Sequence, residues 1–140
     1  EFNNFLLISA NFSTPDWLPN DTQQQKINEL IKETKKETVF LLSHQLFWEE
    51  DANFEVKPNS YDLLTKNLNA NSLNWIEQNN SKNFVVISGD YGAFGQKTVC
   101  HIEQNNLFIA NGIGDHKNDS ILKISENNNS IYIEEIILSK

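Results

Sequence analysis

Three short apolar runs constrain this chain more than any other feature. They are Phe5-Leu-Leu-Ile8, Val39-Phe-Leu-Leu42 and Phe84-Val-Val-Ile87. Each is too short for a buried helix, and the second and third are rich in the β-branched and aromatic residues that favour strands. A continuous apolar run, as opposed to an alternating one, signals a strand covered on both faces, which is the environment of parallel sheets. The second run stops at Ser43-His44 and the third at Ser88-Gly89-Asp90. In open α/β sheets ligands gather outside the carboxyl ends of the strands, so these stops carry the first functional information.

The intervening segments supply the crossovers that parallel strands require. Asp21 and Gln24 form a capping-box pattern, and Ile27, Leu30 and Ile31 share one helical face, so a helix is expected over 22–36. Lys32, Lys35 and Lys36 lie at its end, where the helix dipole favours cations. A second helical stretch is expected over 60–78, carrying Leu63, Leu64, Leu68, Leu73, Trp75 and Ile76. Between them, 46–59 reads as a long irregular loop. After residue 95 the pattern changes to short strands over 97–103, 106–110, 120–126 and 130–138. Asn105-Asn106, Gly112 to Gly114 and Asn127 to Asn129 stand as their turns. The expected fold is α/β (α+β): a mixed sheet with two helical segments, βαβαβ followed by an antiparallel meander, with 1–140 as one unit.

Composition excludes several classes. Eleven Lys and no Arg stand against 19 acidic residues, a net charge of −8. Without Arg the chain lacks the bidentate fork that reads guanine and grips phosphate, so nucleic-acid binding is not expected. One cysteine, Cys100, excludes an internal disulfide and a multi-cysteine zinc site. No apolar run reaches membrane-spanning length. The start, Glu-Phe-Asn-Asn, opens almost directly into a strand, so the chain is expected to be the later part of a longer protein. The 21 Asn residues create several glycosylation sequons, which chance supplies at this abundance.

Among side chains that carry chemistry, His44 and Asp90 follow strands expected to be parallel and should converge on one sheet edge. One imidazole and one carboxylate suit a transition metal. The same spacing fits a histidine bonded to loop backbone and an aspartate opening a turn, and both readings stay open. Gly89, Gly92 and Gly95 lack the lysine of a phosphate loop and serve better to let backbone approach a site closely. Cys100 and His101 are neighbours on one strand and point to opposite faces, so they form no dyad. His116, beside Asp115, sits in a polar turn. Phe47 and Trp48 beside Glu49 and Glu50 suit either a recognition loop or a cap on the core.

In order, these blocks resemble the C-terminal half of the calcineurin-like metallophosphoesterases. The carrying residues are the helix Gln24-Gln-Lys-Ile-Asn-Glu-Leu30, the strand Val39-Phe-Leu-Leu-Ser-His44, the Ser88-Gly-Asp-Tyr-Gly92 turn, and Phe108-Ile-Ala-Asn-Gly-Ile-Gly114. The resemblance implies half of a four-layer sandwich, with the remaining half upstream or in a second chain packing on an apolar sheet face. It implies a phosphate mono- or diester substrate, attacked by a hydroxide bridging two divalent ions of Mn, Fe or Zn type. His44 would be a metal ligand and Asp90 a second, with Gln45, Trp48 and Tyr91 on the substrate side. Asp90 and Gly92 stand where the family has two histidines; Asp can bind a metal and Gly cannot. The family's earlier ligand blocks are missing from these residues, so the chain alone should be inactive. The alternatives are a degenerate, non-catalytic binding domain, and an unrelated α/β domain in which His44 and Asp90 are structural.

Overall fold

The computed structural model describes residues 2–10, 20–44, 79, 81–89, 98–112 and 119–138. Strand β1 (Phe5–Ala10) is followed by helix α1 (Asp21–Glu33), β2 (Thr38–Ser43), β3 (Asn83–Ser88), β4 (Val99–Glu103), β5 (Asn106–Ala110), β6 (Ser120–Asn127) and β7 (Ser130–Ile137). Two sheets result: a mixed five-stranded sheet in the order β1-β2-β3-β5-β4, and a two-stranded sheet of β6 and β7. The second helical stretch expected over 60–78 lies outside the described residues, as do the loop over 46–59 and the turn over 113–118. No helix among the described residues is long and apolar enough to cross a membrane.

The four parallel strands run in strict register. Ile8, Leu41, Val86 and Phe108 form one row across them, and Ala10, Ser43, Ser88 and Ala110 form the last. Alternation then sorts the side chains by face. One face carries Ile8, Val39, Leu41, Phe84, Val86, Phe108 and Ala110, and these pack with Ile27 and Ile31 of α1 into the main core. The other face carries Phe5, Phe40 and Ile109, all buried, with Leu42, Val85, Ile87 and Leu107 half-buried. Phe5 lies between Phe2 and Phe40 there, at ring separations of 4.2 and 4.6 Å. β2 is accordingly apolar on both sides. β1 is an edge strand, with Ser9 exposed.

The helix begins one residue earlier than its sequence pattern indicates. Asn20, not Asp21, is the N-cap: its Oδ1 accepts the Gln23 N–H at 2.9 Å, and Gln23 Oε1 accepts the Asn20 N–H at 3.0 Å. Asn and Asp cap equally well, so the partner three residues on decides, and the run of glutamines allowed either register. Asp21 becomes the first helical residue, where its charge still favours the dipole. The helix ends three residues short of the expected Lys36, because Thr34 is extended. The Lys82 ammonium donates to the carbonyls of Thr34 (2.9 Å) and Lys36 (2.7 Å), tying the helix exit to the start of β3.

The last four strands do not form one meander. β4 and β5 make a hairpin, but β5 also pairs with β3 in parallel and so belongs to the large sheet. β6 and β7 make a second hairpin through Asn128 and Asn129, both at positive φ, the backbone of a two-residue turn that asparagine tolerates. Glu126, near the end of β6, accepts the backbone N–H groups of Asn3 and Asn4, which anchors this hairpin to the start of β1.

Candidate functional site

The parallel strands deliver their carboxyl ends to one edge, and the sequence puts polar residues there. Ser43 and Ser88 are register partners, and their hydroxyls lie 3.1 Å apart. The Gly89 N–H donates to both the Ser43 and the His44 carbonyls at 3.1 Å. The Asn111 N–H donates to the Ser88 carbonyl at 2.8 Å, so the strand order continues one step past the last paired row. His44, Gly89 and Asn111 therefore follow one another along the edge, one residue past the ends of β2, β3 and β5.

His44 is exposed at this edge. A β-carbon placed on Gly89 would meet His44 Nδ1 at 3.9 Å, an ordinary contact distance, so the imidazole stands directly beside the bare glycine. Of the five sequence-predicted site residues, His44 alone is described; Gln45, Trp48, Asp90 and Tyr91 lie outside the described residues, as do Asp115 and His116. The strand ends that carry His44 and precede Asp90 are adjacent, as their expected parallel pairing requires.

A polar cluster borders the same edge. Asn111 Nδ2 donates to Thr98 Oγ1 at 2.7 Å and to Ser120 Oγ at 2.8 Å. Thr98 and Ser120 hydroxyls lie 2.9 Å apart, and Ser120 donates to Glu135 Oε1 at 2.8 Å. Ser120 is only 1% exposed. Proton counting closes the hydroxyl pair: Ser120 spends its proton on Glu135, so Thr98 must donate to Ser120, and both oxygens accept from the Asn111 amide. The cluster clamps the β6–β7 hairpin onto the ends of β4 and β5. Reading the sequence missed it, because Thr98, Asn111, Ser120 and Glu135 come from four segments and share no spacing signature.

Cys100 and His101 do separate to opposite faces of β4. Cys100 is exposed opposite Ile109, and the half-buried His101 lies 6.5 Å from the Phe108 ring. Partial burial of the sulfur, and then the charge of Glu135, hold the Cys100 thiol above its ordinary pKa, which argues against a reactive thiolate.

Among the described residues no group of three or more His, Cys, Asp or Glu side chains forms a metal cluster. The edge does offer donors of the right chemistry for a divalent ion: the His44 imidazole and, with its amide nitrogen committed, only the oxygen of the Asn111 carboxamide. No protein-family model matches the chain, and neither a curated protein nor a solved structure matches it.

Proposed function

We propose that this chain is the C-terminal part of a metal-dependent phosphoesterase acting on a phosphate mono- or diester. The observation that carries the reading is His44 standing beside Gly89, where two parallel strands end together. His44 is the metal ligand on β2, and Asp90, one residue past Gly89, is the second. The divalent ions, when bound, supply Lewis-acid stabilisation of charge on the phosphoryl oxygens, which removes the need for arginine. The chain's own part is positional. The Ser43–Ser88 hydroxyl contact and the paired acceptors of the Gly89 N–H hold the end of β2 against β3, fixing the backbone from which His44 projects. Gly89 adds no side chain beside the imidazole.

The remaining ligands and the acid that protonates the leaving group belong to a partner half of the fold, upstream or in a second chain. The test is therefore made on the full-length protein. His44→Ala should weaken Mn2+ or Zn2+ binding at least tenfold in calorimetric titration and abolish hydrolysis of p-nitrophenyl phosphate. Unchanged metal binding in this variant would sink the ligand assignment. A non-catalytic binding role is the second reading, favoured by Gly92, which offers no side chain where the family has its second late histidine. Metal-free ligand capture without turnover would select it.

A further inference from the structure

We infer that the Asn111 carboxamide oxygen is a further ligand of the same divalent cation, facing His44 across Gly89. The inference rests on the metallophosphoesterase reading and extends its site to a third strand. Three observations carry it. Firstly, His44, Gly89 and Asn111 follow the last register row of Ser43, Ser88 and Ala110, so they share one level of the sheet, and His44 Nδ1 lies on the side to which a Gly89 β-carbon would point. Two strand spacings, about 10 Å, separate the outer backbones, and an imidazole and a carboxamide reaching inward can close that span onto one ion.

Secondly, the residue between them has no side chain. A β-carbon at Gly89 would already contact His44 Nδ1, so any larger side chain would crowd the imidazole. Thirdly, the amide of Asn111 is locked in orientation. Nδ2 donates to the adjacent Thr98 and Ser120 hydroxyls, which turns Oδ1 away from that pair. β3, with Gly89, lies on the other flank of β5 from β4. The clamp that fastens the hairpin thereby doubles as a support that points an oxygen donor at the edge. Supporting hydrogen bonds of this kind commonly set ligand orientation in metal sites.

The experiment titrates Mn2+ into the full-length protein and its Asn111→Ala, Asn111→Asp and His44→Ala variants, read by calorimetry and by the Mn2+ paramagnetic resonance signal. Asn111→Ala should weaken binding by about tenfold or more. Asn111→Asp separates ligation from support, because the two predict opposite signs. A carboxylate keeps the oxygen donor and adds charge, so a ligand role predicts binding at least as tight as wild type. A purely supporting role predicts weaker binding, because both N–H donors are lost. The inference is overturned if Asn111→Asp weakens binding in parallel with Asn111→Ala. It is also overturned if Asn111→Ala stays within twofold of wild type while His44→Ala loses the metal. Should Asn111→Ala fail to fold, the sign of the Asn111→Asp change alone decides. A folded wild type that binds no Mn2+ refutes the phosphoesterase reading itself.

Discussion

The two faces of the five-stranded sheet are covered in different ways. On one, Val39, Leu41, Phe84, Val86 and Phe108 are almost completely sealed from water, in one cluster with Ile27 and Ile31 of the 13-residue helix α1. On the other, bordered by the β6–β7 hairpin, Leu42, Val85, Ile87 and Leu107 are only half-buried. A groove of about 620 Å³ remains there, floored by Phe40, Val85 and Leu107 and walled by Ile131 and Ile133 of β7. It opens at the amino ends of the strands, away from His44. The hairpin also exposes Ile121, Tyr132 and Ile136 outward. The difference teaches that α1 contributes to the core through Ile27 and Ile31, whereas polar links position the hairpin: Glu126 to β1, and Ser120 to the carboxyl edge.

The sharpest way to break this comparison uses two neighbours on β3. Phe84→Ala should cost about 3–5 kcal/mol of stability in denaturant unfolding, since it empties a sealed core position. Val85→Ala, one residue on and bordering the groove, should cost only about 1 kcal/mol. Equal losses would mean that the two faces are equally packed. Next comes the polar clamp: Ser120→Ala leaves the Asn111 amide and the Glu135 carboxylate short of a partner, and should cost about 1–3 kcal/mol. Amide exchange should accelerate in β6 and β7 before the parallel strands; uniform acceleration would contradict the clamp. Asn20→Ala, at the helix cap, should cost about 1 kcal/mol and show as lost helicity by circular dichroism.

The smallest expected effect is electrostatic. Because burial and the Glu135 charge both raise the Cys100 pKa, its alkylation rate should rise with pH along a curve displaced above that of a free thiol. Glu135→Gln should move the curve back part of the way, burial being the larger cause. The sign for stability follows from linkage. The unfolded thiol ionises first, so any contribution is present at low pH and is lost as pH rises through the folded value. A curve unmoved by Glu135→Gln would place that carboxylate away from the sulfur and weaken the clamp.

Much of the scaffold was legible because it is written in local pattern. The apolar runs at 39–42 and 84–87 read directly as β2 and β3, and the turn asparagines marked both hairpins within a residue or two. The helix cap was displaced by one position because Asn20-Asp21 and Gln23-Gln24 offer two equivalent capping boxes. The candidate site was legible only at His44, whose place at the end of a parallel strand follows from the strand pattern. The clamp was not, since hydrogen bonds among Thr98, Asn111, Ser120 and Glu135 join residues up to 22 positions apart, and no periodicity encodes them.

By itself the sequence determined where strands and the first helix form, because apolar spacing and capping chemistry act over a few residues. It also determined that His44 ends a buried strand, since the apolar run stops there. Only the tertiary structure decided that the late strands divide between two sheets. β5 pairs with β3 as well as with β4, and that pairing depends on a partner more than 20 residues away in the chain. The same pairing brought Asn111 level with His44, and the sheet register set that juxtaposition.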